Sequence, residues 1–93
     1  MFGRIKKPED WQVALRRGAA LIDVRTEAEF AQDHHPQSIN LPLQRIAEWA
    51  SHYQPGEEVV VVCRSGSRSE QAALHLRKRG VLAVNGGSWI RIS

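Results

Sequence analysis

The sequence has very little cysteine, and this scarcity excludes two common ways of stabilising a small domain. Cys63 is the one cysteine among the 93 residues. A disulfide within the chain and a zinc site built on several cysteines are therefore both excluded. Long apolar runs are lacking too, since none approaches the roughly 20 residues that a membrane-spanning helix requires. The basic first residues are not followed by the apolar segment of a secretory signal. We therefore expect a cytoplasmic protein with no membrane partner.

A strong excess of charge of one sign is also lacking. Thirteen Lys and Arg against ten Asp and Glu give a net charge of +3, which suits anionic partners without requiring them. The three tryptophans are scattered and the basic run 77–79 ends a predicted helix, so neither indicates a nucleic-acid surface. We find no internal repeat or low-complexity segment. A composition of 42% hydrophobic and 25% charged residues is typical of a globular domain, and we expect one domain over residues 1–93.

Helix and strand patterns alternate along the chain. Thr26 followed three residues later by Glu29 has the spacing of a capping box at a helix start. The four valines at 59–62 are typical of a strand that is covered on both faces. Asn85-Gly86-Gly87 indicates a turn. Helical patterns begin near Pro8, Thr26, Leu43 and Ser69, and strand patterns cover residues 19–24, 39–41, 59–63 and 81–84. This alternation predicts an α/β domain with a mostly parallel sheet.

The segment after the valine strand has the residue types of a reactive site. Ligands of α/β sheets usually bind beyond the carboxyl ends of the strands, which is where Cys63 is expected. The next five residues are small or basic, and Gly66 permits a backbone shape that other residues resist. Such a loop can direct its N–H groups inward as an anion-binding nest, which also favours the thiolate. The sequence therefore predicts a catalytic Cys63 and a substrate-binding loop of Arg64, Ser65, Gly66, Ser67 and Arg68.

Simpler interpretations of these residues stay open. Most free cysteines are small buried side chains, and most arginines are solvated surface charges. The positive loop directly after Cys63 favours the functional interpretation, because a structural cysteine needs no such loop. Asp23 and Arg25 follow a strand and could act as an acid and a base. We favour a structural ion pair near the site. His34 is interpreted as a hydrogen-bonded structural residue, and no set of residues suggests a metal site.

The loop Cys63-Arg64-Ser65-Gly66-Ser67-Arg68 resembles the active-site loop of rhodanese-type sulfurtransferases. Other segments of the chain also match the family in order and spacing. Before the loop these are Leu21-Ile22-Asp23-Val24-Arg25, Glu29-Phe30, His34, Pro36 and Ile39-Asn40-Leu41-Pro42, and after it Gly86-Gly87. The resemblance covers nearly the whole chain. It implies a rhodanese-like three-layer domain in which helices flank a central, mostly parallel sheet. Residues 33–38 lack two glycines that are usual in the family, and residues 88–93 stand where it usually has a final helix, so local differences are expected in both segments.

What the resemblance implies is sulfur transfer through a persulfide, with no metal or organic cofactor. The thiolate of Cys63 would attack the outer sulfur of thiosulfate, release sulfite and pass the sulfur to cyanide or to a thiol such as glutathione or thioredoxin. Arg64 and Arg68 would bind the oxyanions of thiosulfate. The loop N–H groups would stabilise the leaving sulfite and the persulfide.

Two alternatives remain beside the sulfurtransferase. One is a persulfide relay or binding module that is loaded by a partner protein and turns over thiosulfate poorly. The other is a cysteine-dependent phosphatase or arsenate reductase, whose loop has the pattern C-x5-R. Here Arg68 gives C-x4-R, and Ser69 occupies the C-x5-R position. The shorter loop favours sulfur transfer over phosphate chemistry.

Overall fold

The computed structural model describes residues 10–92, which contain one four-stranded sheet. The strands are β1 (Ala20–Asp23), β2 (Ser38–Asn40), β3 (Glu58–Cys63) and β4 (Leu82–Ser88). They lie in the order β2-β1-β3-β4, and every neighbouring pair is parallel. The predicted α/β class is confirmed, and within the described range the sheet is parallel throughout rather than mostly so.

Four α-helices connect or flank these strands: α1 (Asp10–Arg16), α2 (Glu27–Gln32), α3 (Ile46–Trp49) and α4 (Ser67–Lys78). The start of α1 predicted near Pro8 lies outside the described residues. The helix predicted over 43–53 is interrupted, because α3 stands between the 3-10 turns Leu43–Arg45 and Ala50–His52. Arg45 causes the first interruption, since its backbone leaves the helical region at φ −111° and ψ 21°. The indole of Trp49 then ties α3 to the sheet edge by donating to the carbonyl of Pro42 at 2.9 Å.

The side chains of β3 alternate between two apolar clusters on opposite faces of the sheet. Val59, Val61 and Cys63 pack with α3 and α4, whereas Val60 and Val62 pack with α1 and the C-terminal segment. All four valines are at most 1% exposed, so the predicted covering of both faces is confirmed. The alternation places Cys63 on the α4 side of the sheet, at the carboxyl end of a central strand.

The prediction of a turn at Asn85-Gly86-Gly87 is wrong, because these residues lie inside β4. Val61 pairs with Asn85 but Val62 pairs with Gly87, so Gly86 is the extra residue of a β-bulge. A Cβ at Gly86 would lie 3.0 Å from the side chains of Val60 and Val62, which explains the need for glycine there. The glycine pair therefore marks a bulge and a close approach of two strands.

The C-terminal segment of the described range forms a short turn rather than a full helix. A 3-10 turn, Trp89–Arg91, follows β4, and the Ser88 hydroxyl caps it by accepting from the N–H of Ile90. Ile92 then returns into the apolar cluster beneath α1. Among residues 10–92, no helix is long and apolar enough to cross a membrane.

Candidate active site

The site forms where β1 and β3 end side by side. Asp23 pairs with Val62 in the sheet, and the N–H of Val24 donates to the carbonyl of Val62 at 2.9 Å. Cys63 is the last residue of β3 and is fully buried. Four residues later α4 begins at Ser67, so only Arg64, Ser65 and Gly66 of the predicted loop lie between the strand end and the helix N-terminus. The sulfur is thus close to the positive end of α4.

Two groups donate hydrogen bonds toward the sulfur of Cys63. The N–H of Gly66 lies 2.9 Å from Sγ, and the hydroxyl oxygen of Ser69 lies 3.4 Å from it. Gly66 turns its N–H inward through a left-handed backbone with φ +101°. Burial raises the pKa of the Cys63 thiol, but hydrogen bonds outweigh it. They come from the Ser69 side chain and from the N–H groups of Ser69, Gly66 and Ser65, and together they lower the pKa below its ordinary value. The site therefore favours a thiolate.

Asn85 is a site residue that the sequence analysis missed, because it was assigned to a turn. Its Nδ2 donates to the carbonyl of Gly66 at 3.0 Å and to Oε1 of Glu70 at 3.1 Å. Its Oδ1 accepts from the Ser69 hydroxyl at 2.7 Å and from the N–H of Gly87 at 2.9 Å. A polar amide directly before a glycine pair and after an apolar strand pattern was the available signal. Asn85 thus connects β4 to Gly66 of the cysteine loop and to the first turn of α4.

Asp23 and Arg25 form a buried ion pair beside the site. Nη2 of Arg25 lies 2.8 Å from Oδ2 of Asp23, and Nε lies 3.0 Å from both carboxylate oxygens. Arg25 also donates to the carbonyls of Glu29 and Asp33, and its guanidinium lies 4.8 Å from the ring centroid of Trp89. These contacts fix the segment after β1, which is the geometry that a structural role requires.

Arg68 lies at the site but its guanidinium is engaged by Glu29. Nη1 and Nη2 of Arg68 lie 2.7 and 3.0 Å from the two carboxylate oxygens. The capping box predicted for Thr26 and Glu29 is confirmed, so the same carboxylate also accepts the N–H of Thr26. The hydrogen bonds of Arg68 and then of Thr26 lower the pKa of Glu29 to about 2. By contrast, Arg64 is exposed and forms no ion pair with any residue in the range 10–92.

His34 is held by α2 rather than by the cysteine loop. Its Nδ1 lies 2.6 Å from the carbonyl of Phe30, and its ring stacks on the Phe30 ring with centroids 3.7 Å apart. This is the arrangement expected of a hydrogen-bonded structural residue. Within the described part of the chain, no three His, Cys, Asp or Glu side chains are grouped as ligands for a metal ion.

Comparison with known proteins identifies the family. Residues 7–88 match the rhodanese-like domain. The chain belongs to the rhodanese family. A sulfurtransferase of Allochromatium vinosum is 41% identical over 76 residues, which cover 76% of this chain and 71% of the relative. The thiosulfate sulfurtransferase GlpE of Pseudomonas savastanoi pv. phaseolicola is 37% identical over 89 residues, which cover 92% of this chain and 83% of the relative. The resemblance inferred from the two motifs is therefore confirmed.

Solved structures confirm the rhodanese fold. The human single domain sulfurtransferase TSTD1 has a TM-score of 0.71 and 24% identity, covering 100% of this chain and 99% of the human one. A Staphylococcus aureus rhodanese-like domain protein has a TM-score of 0.74 and 25% identity, covering 89% and 83%. The three-layer rhodanese fold predicted from the sequence is thus confirmed.

The predicted loop residues differ in how they lie relative to the sulfur of Cys63. Gly66 contacts the sulfur through its backbone, while Arg64, Ser65 and Ser67 are exposed at the rim of the loop. This arrangement can stabilise negative charge on the sulfur through N–H and hydroxyl donors, with a free cation at the rim. It lacks exposed sulfur surface, because Cys63 is 0% exposed.

Proposed function

We propose that this rhodanese domain transfers the sulfane sulfur of thiosulfate through a persulfide on Cys63. The main support is the environment of Sγ, which accepts the N–H of Gly66 at 2.9 Å and lies 3.4 Å from the Ser69 hydroxyl. These donors hold the pKa of the thiol below its ordinary value, and the thiolate is the nucleophile that this reaction needs. The relative GlpE carries the name thiosulfate sulfurtransferase, which indicates the same donor.

The first half-reaction is a displacement at the outer sulfur of thiosulfate. The Cys63 thiolate forms a bond to that sulfur while the bond to the central sulfur breaks, and sulfite leaves with the electron pair. The loop N–H groups that bind the thiolate then stabilise the anionic persulfide. Arg64 is the exposed cation at the rim and would pair with the oxyanions of thiosulfate.

The second half-reaction requires an acceptor from outside the chain. Cys63 is the only cysteine among the 93 residues, so no second thiol of this sequence can remove the sulfur. A thiol such as glutathione or thioredoxin, or cyanide in the test tube, attacks the outer sulfur of the persulfide, and Sγ leaves as the thiolate. Two separate displacements on one enzyme give ping-pong kinetics. A reducing cytoplasm, where such thiols persist, is part of this proposal.

One observation favours the persulfide relay as the second candidate. Cys63 is 0% exposed, so a small donor reaches Sγ only after part of the loop has moved. A partner protein that opens the loop would load the sulfur more efficiently than thiosulfate in solution. A phosphatase is disfavoured, because both terminal nitrogens of Arg68 bind Glu29 and are not free to bind a phosphate.

The experiment is the intact mass of the protein after incubation with thiosulfate, beside the Cys63→Ser variant. We expect a gain of one sulfur atom that cyanide removes and that the serine variant does not show. A folded protein that gains no sulfur from thiosulfate but gains it from glutathione persulfide would exclude thiosulfate as donor and support the relay. A protein that gains sulfur from neither donor would contradict persulfide chemistry altogether.

A further inference from the structure

The carboxamide of Asn85 is saturated with hydrogen bonds, and its orientation is fixed by the partners. Nδ2 faces two acceptors, the carbonyl of Gly66 and a carboxylate oxygen of Glu70. Oδ1 faces the N–H of Gly87, which can only donate. Exchanging the oxygen and the nitrogen would break all three bonds. Asn85 therefore presents its oxygen, and not its NH2 group, to the Ser69 hydroxyl.

The Ser69 hydroxyl has one proton and two possible acceptors. Oδ1 of Asn85 lies 2.7 Å from the hydroxyl oxygen, and Sγ of Cys63 lies 3.4 Å from it. With a neutral thiol, the S–H can donate to Ser69 while Ser69 donates to Asn85. With a thiolate, Ser69 can turn its proton to the sulfur, and Oδ1 of Asn85 still accepts from Gly87. Neither state leaves a buried polar group without a partner, so the reorientation of the Ser69 hydroxyl costs little free energy.

Asn85 also holds the second donor to the sulfur. The residue whose carbonyl it binds, Gly66, is the residue whose N–H lies 2.9 Å from Sγ. The left-handed backbone of Gly66 lies against β4, because a Cβ there would approach Cα of Gly87 to 3.3 Å. The loop is thus seated on the bulge of β4, with Asn85 as the polar link between them.

We propose that Asn85 is a positioning residue for Cys63. It holds the Gly66 peptide and the Ser69 hydroxyl, which are two donors to Sγ, and it lets the hydroxyl turn its proton to the sulfur when the thiolate forms. This inference rests on the proposed function of Cys63, but it concerns the ionisation of the thiol and is measured without sulfur transfer.

The test is the rate of Cys63 alkylation by iodoacetamide as a function of pH, followed by intact mass. We expect Ser69→Ala to raise the midpoint of this profile by about one pH unit, because the thiolate loses a hydrogen bond. Asn85→Ala should raise it at least as much, since both donors are released. The midpoint shift of the double variant should be smaller than the sum of the two single-variant shifts, because Asn85 acts partly through Ser69. Ser51→Ala, an exposed serine outside the cysteine loop, is the matched control and should not shift the midpoint.

The midpoint separates positioning from a purely structural role. Loosening the loop exposes the sulfur and changes the plateau rate at high pH, whereas only a changed thiol pKa moves the midpoint. Wild-type midpoints in folded Ser69→Ala and Asn85→Ala would overturn the proposal. If Asn85→Ala does not fold, Asn85→Ser takes its place, because its shorter side chain cannot reach both the Gly66 carbonyl and the Ser69 hydroxyl. A wild-type midpoint in folded Asn85→Ser would then overturn the proposal. A shifted midpoint in a protein that thiosulfate does not load would refute the donor while the positioning role stands.

Discussion

The segments that follow β1 and β3 start side by side at one sheet edge but use their polar groups in opposite ways. After β1, the carboxylate of Asp23 and the guanidinium of Arg25 neutralise each other in a buried pair, 0% and 6% exposed at their side chains. After β3, the donors of Gly66 and Ser69 converge on a sulfur that forms no hydrogen bond with a cationic side chain of residues 10–92. In the first segment, the two charged side chains thus neutralise each other. The second has donors that can stabilise a negative charge on the sulfur, as the proposed reaction requires.

One ion pair joins the two segments. Glu29 belongs to the helix after β1, and Arg68 belongs to the first turn of α4, the helix after β3. The pKa of Arg68 is raised by its hydrogen bond to Glu29 in the first place, with smaller contributions from the charges of Glu29, Cys63 and Asp23. Charged groups of both segments therefore act on Arg68, and the net charge around the sulfur depends on both Glu29 and Arg68.

The largest loss of stability is expected from Arg25→Ala, which breaks the buried ion pair with Asp23. Removing the guanidinium leaves Asp23 as a buried charge without its partner and also removes the donor to the carbonyl of Asp33. We expect the free energy of unfolding to fall by about 3–5 kcal/mol. Urea unfolding followed by tryptophan fluorescence measures this loss.

The matched control for Arg25 is Arg45→Ala. Arg45 also pairs with a carboxylate, Glu27, but the two side chains are 52% and 74% exposed. An exposed pair contributes less than about 1 kcal/mol to stability. Equal losses in the two arginine variants would contradict the view that burial makes the pair after β1 essential.

A smaller loss of stability is expected from Gly66→Ala in the cysteine loop. A non-glycine residue in the left-handed region costs about 1–2 kcal/mol of stability, and the Cβ would press on Gly87. The shift also displaces the N–H that lies on Sγ, so the midpoint of Cys63 alkylation should rise. Gly18→Ala is the control, because Gly18 also has a positive φ, +95°, but no heavy atom stands within 4 Å of its Cβ position. It should lose similar stability and leave the alkylation profile of Cys63 unchanged. A shift in both variants would show that the effect is not specific to the loop.

The sequence predicted the fold well where burial and local chemistry agree. The four valines could only suit a strand covered on both faces, and Thr26 with Glu29 could form the capping box from adjacent residues alone. The position of Cys63 at a strand end followed from the valine run that precedes it. Each of these predictions depends on residues that are close in sequence.

The sequence failed where a residue's role depends on a distant partner. Asn85 and the glycines after it have the composition of a turn, and only the pairing with β3 makes them a bulge. The interruption of the helix at Arg45 is a departure of one residue's backbone from the helical region, which the apolar spacing of residues 43–53 does not show. The ion pair of Arg68 was not predicted either, because its partner Glu29 lies 39 residues away in the chain. Such long-range pairs have no signature in a single sequence.

The smallest effect on stability is expected from the ion pair of Glu29 and Arg68, which joins the two segments. It should appear in how the free energy of unfolding changes as the pH falls. Because folding lowers the pKa of Glu29 to about 2, the ion pair stabilises the protein above the ordinary value of 4.5, and this contribution is lost as pH falls toward about 2. Both side chains are 34% exposed, so the contribution stays below about 1 kcal/mol. Urea midpoints measured across this pH range should therefore fall less steeply in Glu29→Gln than in the wild type. Parallel curves would contradict the ion pair.

The same pair decides what Arg68 does for the substrate. Arg68→Ala is expected to raise the KM for thiosulfate by up to about fivefold, which corresponds to an exposed charge interaction. Two causes predict this increase: Arg68 binds the oxyanions itself, or it neutralises Glu29, whose bare carboxylate would repel them. The double variant with Glu29→Gln separates the causes, because glutamine keeps the cap of α2 without the charge. Since both terminal nitrogens of Arg68 bind Glu29, we expect KM to return to the wild-type value in the double variant. A KM that stays high would instead mean that Arg68 leaves Glu29 and binds thiosulfate directly.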